Sequence, residues 1–129
     1  MHILFAGGGT AGHVNPALAI AGSIKEKHPN AKISYIGTER GIESRLVKNA
    51  GYDFYTIEVS GFQRSFSPGA IKSNISAVKK AFTSSQKARQ LLKELKPDVV
   101  VGTGGYVSGP VLREAAKLGI KTAIHEQNA

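Results

Sequence analysis

The sequence predicts an α/β domain built on a parallel sheet with helices on both faces. Three observations carry that prediction. Short apolar runs alternate with stretches of helical periodicity along the whole chain. Two of those runs end in glycine-rich loops, Gly7-Gly8-Gly9-Thr10-Ala11-Gly12 and Gly102-Thr103-Gly104-Gly105-Tyr106-Val107-Ser108-Gly109. The length of 129 residues, 41% of them hydrophobic, suits one domain with a packed core. Right-handed crossovers between parallel strands would put helices on both faces.

Ile3 to Ala6 is short, apolar and closed by glycine, the pattern of a buried strand. Asn15-Pro16 reads as a helix start, with Asn as N-cap and Pro at the first helical position, and Ala17 to Lys27 continues the helix. Lys32 to Ile36 is a second strand, closed by Gly37-Thr38. Arg40 to Asn49 places Ile42, Leu46 and Val47 at helical spacing, with Gly51 as a stop. Phe54 to Val59 alternates and reads as a third strand. Ser60 to Gly69 is a loop, and a long helix from Ile71 to about Leu95 stops before Pro97. Asp98 to Gly102 is the fourth strand and Thr103 to Pro110 the second glycine loop. In that loop Ser108 reads as the cap of a helix continuing over Val111 to Lys117. Lys121 to Ile124 is a fifth strand, running into the polar His125-Glu126-Gln127-Asn128. No composition shift marks a domain boundary. The chain ends at a polar strand end, where open α/β sheets place ligands, so further chain beyond Ala129 is expected.

The absence of cysteine excludes disulfides and thiolate metal sites. Met1-His2 leads straight into a strand, so no signal peptide is expected. No run approaches the roughly 20 apolar residues needed to span a bilayer. A soluble or peripheral protein on the cytoplasmic side is expected. The net charge of +8 is local: residues 60–96 carry eight Lys/Arg against one acid, while the rest of the chain has nine against eight. Such a patch implies an anionic partner, whether nucleic acid, a phosphorylated ligand or a membrane surface. No helix-turn-helix, RNP or KH signature supports nucleic acid.

The first loop fits G-x-G-x-x-G, and its place between strand and helix strengthens the match. Glycines let backbone amides approach a phosphate, and a helix N-terminus adds positive potential. Two features resist a dinucleotide site: the helix start at Asn15-Pro16 lies beyond the glycines, and the acid expected about 20 residues on is not cleanly placed, with Glu39 the first candidate. A tight turn with no ligand is the bland alternative. His13 is either an ordinary loop residue or a base, since imidazole has the right pKa range to take a proton from a hydroxyl. The second loop has the same strand–glycine–helix pattern. Two such loops facing each other across a crevice would suit a diphosphate. Tyr106 either contacts a ligand or packs within its loop. A metal held by His13, His125 and Glu126 has no i,i+4 His pair or Cys cluster behind it. Ile71, Ile75, Val78 and Phe82 share one helix face, with Lys72, Lys79 and Lys80 beside it. That face either packs on the core or dips into a lipid surface while the lysines meet anionic head groups.

GGGTAGHVNPALAIA at 7–21, IGTERGIESRLV at 36–47, SGFQR at 60–64, GTGGYVSGPV at 102–111 and HEQNA at 125–129 together resemble the MurG family of bacterial N-acetylglucosaminyltransferases. The resemblance covers the whole chain. It implies the Rossmann-like, acceptor-binding amino-terminal half of a two-domain GT-B glycosyltransferase, with a carboxyl-terminal donor domain absent from this chain. The implied reaction moves N-acetylglucosamine from UDP-GlcNAc to undecaprenyl-diphosphate-linked muramyl-pentapeptide in peptidoglycan synthesis, with inversion and with no cofactor or metal. By position, His13 matches the family's base, and Glu126 a residue of acceptor or catalytic function. Thr10, Ala11, Gly12 and Asn128 match donor contacts, and Ala11 stands where many members have glycine. Gly9, Gly104, Gly105 and Tyr106 match the acceptor-diphosphate segment. Ile75, Val78, Lys79 and Phe82 match a membrane-contact patch on an anionic membrane surface. Without the donor domain the chain is expected to be inactive. A non-catalytic, membrane-docking module that binds lipid diphosphate and is completed by a partner chain is the alternative.

Overall fold

The first strand, β1 (His2–Gly7), is buried along its whole length. Ile3 and Phe5 enter one apolar cluster, and Leu4 and Ala6 the other, as the two-residue period of a strand requires. The computed structural model describes residues 1–59 and 68–126, with the backbone alone at 68–73, 77, 80 and 81. After β1 come α1 (Ala11–Lys27), β2 (Lys32–Gly37), α2 (Ile42–Asn49), β3 (Asp53–Thr56), α3 (Pro68–Leu95), β4 (Val99–Gly104), α4 (Ser108–Lys117) and β5 (Lys121–Ile124). The strands pair in parallel in the order β3-β2-β1-β4-β5. The chain steps outward from β1 to β3 and returns on the other side of β1, so the switch point lies between β1 and β4.

The predicted two-faced architecture holds. On one face Val14, Ala17 and Ala21 of α1 and Val47 of α2 pack on Phe5, Ile33 and Tyr35. On the other, Ala88, Leu91 and Leu92 of α3 and Val111 and Ala115 of α4 pack on Leu4, Ala6, Ile36 and Val100. Arg89 of α3 reaches the Glu114 carboxylate at 3.4 Å and ties α3 to α4; Lys117, one turn on in α4 itself, reaches the same carboxylate at 3.5 Å.

Several boundaries differ from expectation. Helix α1 begins at Ala11, inside the glycine run, because Gly9 reverses the chain at φ +89° and the Thr10 carbonyl then accepts the amides of His13 and Val14. Pro16 therefore lies inside the helix and forgoes the bond to the Gly12 carbonyl. Helix α2 starts at Ile42 behind Gly41. Strand β3 stops at Thr56 although its alternation runs on, because its partner β2 ends at Gly37; a last bond joins the Ile57 amide to the Gly37 carbonyl. Ser108 is not a cap but the first residue of α4, behind Val107, and its buried side chain fills the space beside Gly102. Most of the expected loop, residues 60–67, lies outside the described residues.

Helix α3 has 28 residues and β4 has 6, about 42 Å of helix against about 20 Å of strand. Its end at Leu95 leads into the foot of β4, so the amino-terminal half overhangs the carboxyl edge of the sheet. No helix among the described residues is long and apolar enough to cross a membrane.

At the foot of the sheet, His2 is a buried polar clamp. Its Nδ1–H donates to the Leu95 carbonyl at 3.0 Å, and Nε2 accepts from the Ser34 hydroxyl at 2.8 Å. Its amide donates to Asp98 Oδ2 at 2.7 Å, and the Asp98 amide returns a bond to the His2 carbonyl at 2.8 Å. Burial pushes its pKa below the ordinary 6.5; the Leu95 bond and the charges of Asp98 and Asp53 oppose this, and Lys32 adds to it. Between the lowered folded value and 6.5 the unfolded chain binds more protons, so stability is lost as pH falls through 6.5. His2→Ala is expected to cost about 1–3 kcal/mol at pH 7.5 by orphaning two buried groups. It should also flatten the decline of the urea midpoint between about pH 7.5 and 5.5; an undiminished decline contradicts the assignment.

Candidate functional site

The site is where the two glycine loops meet at the switch point. The Gly8 amide donates to the Gly104 carbonyl at 3.2 Å. Gly105 lies against the Gly8 backbone, and a Cβ there would overlap the Gly8 carbonyl oxygen. The loops thus do not face each other across a crevice, as expected from sequence; they are in contact and form one rim. The physical reason is that neither loop has a side chain at the point of approach. Gly104 and Gly105 have φ of +113° and +88°, which turn the backbone from β4 towards α4. The amino ends of α1 and α4 both lie at this edge, and such ends offer unpaired amides and positive potential to an anion.

His13 belongs to the first turn of α1. Its Nδ1 lies 2.9 Å from the Gly8 carbonyl oxygen. A carbonyl only accepts, so Nδ1 carries the hydrogen and the lone pair resides on Nε2. Thr10 Oγ1 lies at 3.4 Å from the same nitrogen, a weak contact. The other side of the ring rests on Gly104, where a Cβ would come within 2.9 Å of Nε2. Among the described residues Nε2 has no hydrogen-bond partner.

The acid at this loop is Glu43 and not Glu39. Glu43 is fully buried, although it lies in the first turn of α2. Its Oε1 accepts the Thr38 amide at 2.8 Å and the Thr38 hydroxyl at 2.6 Å, and Oε2 accepts the Gly9 amide at 3.2 Å. Burial alone would push its pKa up; these donors outweigh it and hold the carboxyl below the ordinary range. Gly8, Gly37 and Gly41 make room for it, since a Cβ on any of them would overlap Glu43. Glu39 is exposed, beside an open cleft of about 640 Å³ whose lining also includes Thr38, Arg40, Glu58, Lys79 and Lys87. The sequence held a signal for Glu43: glycines at 37 and 41 shortly ahead of an acid in the first turn of a helix.

The remaining candidates fall into three groups. Gly9, Thr10, Ala11 and Gly12 surround His13 at the head of α1, and Tyr106, 72% exposed, stands on the second loop. Glu126 is exposed one strand over, two residues past the end of β5, where the His125 amide extends the ladder to the Gly102 carbonyl at 2.9 Å. Asn128 lies outside the described residues. Ile75, Val78 and Phe82 are 56%, 55% and 66% exposed. They do not pack on the core, the alternative left open by their spacing, because they sit on the overhang of α3; Lys79 is exposed beside them. The side chains of Ile71, Lys72 and Lys80 lie outside the described residues. Among those described, no three His, Asp or Glu side chains gather as a metal site would require.

Gly9 and Gly105 separate conformational strain from close approach. Both have positive φ, but a Cβ at Gly9 meets nothing within 4 Å. Gly9→Ala is expected to cost about 1 kcal/mol. Gly105→Ala should cost about 2–3 kcal/mol, because the Gly8 backbone must also move. Urea midpoints at unchanged m-value check the order; equal costs would contradict the contact.

Comparison with known proteins agrees with this geometry. The family model for the glycosyltransferase family 28 N-terminal domain matches residues 3–129. The UDP-N-acetylglucosamine–N-acetylmuramyl-(pentapeptide) pyrophosphoryl-undecaprenol N-acetylglucosamine transferase of Listeria monocytogenes is 50% identical over 129 residues, all of this chain and 34% of the relative. The protein of that name from Ruminiclostridium cellulolyticum is 53% identical over the same span. The crystal structure of MurG from Acinetobacter baumannii superposes with a TM-score of 0.80 at 36% identity, over 98% of this chain and 35% of that one. UDP-GlcNAc 2-epimerase from Methanocaldococcus jannaschii, at 20% identity and a TM-score of 0.63 over 98% of this chain and 31% of its own, shares the fold. The chain spans about a third of the length of these relatives. With five parallel strands between two helical layers, two glycine loops joined at the switch point and a family match over nearly its whole length, the chain belongs to the glycosyltransferase family 28 N-terminal domains.

Proposed function

We propose that this domain is the acceptor-binding half of an inverting transferase that moves N-acetylglucosamine from UDP-GlcNAc to undecaprenyl-diphosphate-linked muramyl-pentapeptide. The observation that carries this reading is His13 on the joined rim, with its Nε2 lone pair unpartnered among the described residues and two helix ends beside it. The acceptor 4-hydroxyl attacks the anomeric carbon; the new C–O bond forms as the bond to the β-phosphate breaks, and UDP leaves with the electron pair. His13 Nε2 takes the hydroxyl proton. The backbone of the joined loops at Gly9, Gly104 and Gly105, with Tyr106, holds the acceptor diphosphate, the Gly9 amide itself being taken by Glu43, and helix-end donors neutralise charge without a metal. Thr10, Ala11, Gly12 and Asn128 meet the donor sugar, and Glu126 assists from the β5 edge. The rest of the donor site belongs to a second domain, for which the relatives' greater length leaves room.

The exposed Ile75, Val78 and Phe82, with Lys79 beside them, support peripheral docking on an anionic membrane. The cleft under Lys79 reaches Thr38, which shares Glu43 with the glycine loop.

In a two-domain protein carrying this domain, His13→Ala is expected to lower kcat about 10²–10⁴-fold with the fold intact. Turnover at the parental rate would remove His13 as the base. For docking, Phe82→Ser should weaken sedimentation with anionic vesicles about tenfold or more. Lys79→Ala should weaken it less and reduce its salt sensitivity; unchanged partition of both variants contradicts membrane contact by α3.

A further inference from the structure

Glu43 is a buried carboxylate with no cation beside it among the described residues; its partners are two amides and a hydroxyl. One of those amides links it to the proposed base. The N–H of the Gly8–Gly9 peptide donates to Glu43 Oε2 at 3.2 Å, and the C=O of the same peptide accepts from His13 Nδ1 at 2.9 Å. A peptide is a conjugated unit, so a negative charge at its N–H draws electron density towards its oxygen and makes that oxygen a better acceptor. Thr38 anchors the other carboxylate oxygen to the end of β2. The overlap that a Cβ on Gly8 or Gly41 would make with Glu43 shows how closely the carboxylate and loop are fitted.

We infer that Glu43 is a positioning residue for His13: through the Gly8–Gly9 peptide it fixes the imidazole as the Nδ1–H tautomer and so keeps the Nε2 lone pair on the rim. The arrangement does what a carboxylate does when bonded directly to a histidine, with one peptide plane interposed. No proton crosses that peptide. Glu43 is fully buried behind the loop, so its effect is exerted through the loop. The inference rests on the reading of His13 as the base for its consequence in turnover, but not for the tautomer itself.

Nitrogen NMR of the imidazoles in this chain, near neutral pH, separates the two tautomers. The parent is expected to show Nδ1 protonated and Nε2 as a bare ring nitrogen. Glu43→Gln is nearly isosteric, but one of its two ends must present N–H groups to donors at Thr38 or Gly9. It should raise the Nε2–H population of His13 severalfold with amide dispersion retained. In the two-domain protein kcat should fall about 10–100-fold while KM for UDP-GlcNAc stays within about twofold. If Glu43→Gln does not fold, Thr38→Val decides: it keeps the carboxylate and loosens its anchor, and a smaller shift in the same direction is expected. A folded variant with the parental tautomer ratio overturns the inference. A shifted tautomer alongside a fully active His13→Ala protein would retain the link and reject His13 as the base.

Discussion

Gly105 approaches the Gly8 backbone so closely that no side chain fits between them. The rest of the site depends on that contact. It brings the loop after β1 onto the loop after β4, and the Gly8 amide closes it on the Gly104 carbonyl. With the loops joined, the amino ends of α1 and α4 share one edge, and the His13 ring has a floor at Gly104. The strand order makes this possible, since β1 and β4 are neighbours although β2 and β3 lie between them in sequence. Glycine is required here for absence of bulk as much as for backbone freedom.

Two buried ionisable groups stand at opposite ends of this sheet, and burial acts on them with opposite results. His2, at the foot, has one acceptor and one donor to satisfy its ring, and stays neutral most easily. Glu43, at the carboxyl edge, meets hydrogen-bond donors from Thr38 and Gly9 among the described residues, and these keep it charged. Removing water penalises charge in both places; the hydrogen bonds available decide which group remains ionised. The charged one lies under the loop.

Much of the fold was legible in the sequence, because apolar runs ending in glycine and helical spacing are local patterns. Five strands, four helices and two loops follow from them. The start of α1 was not legible: Asn15-Pro16 is a good local helix start, yet Gly9 and Thr10 had already turned the chain. One argument against a dinucleotide loop, a displaced helix start, therefore falls, and the reading of the site rests on His13 and the second loop instead. The exposure of Ile75, Val78 and Phe82 was also beyond the sequence. Periodicity says that they share a face but not what covers it, and only the mismatch in length between α3 and the sheet leaves that face open. Glu43 was missed because its role depends on Gly8 and Gly9, more than thirty residues away in sequence, although Gly37 and Gly41 close by also make room for it. Glu39 sat closer to the expected spacing.

The central claim is that the joined rim is the acceptor's diphosphate site. Titrating amide-labelled chain with a short-chain polyprenyl-diphosphate muramyl-peptide tests it most directly. The account predicts saturable shifts confined first to the amides of residues 9–13 and 104–106, with matching affinity from both loops. Shifts that appear on one loop alone, or on β5 and the outer helices while the rim stays silent, would contradict it.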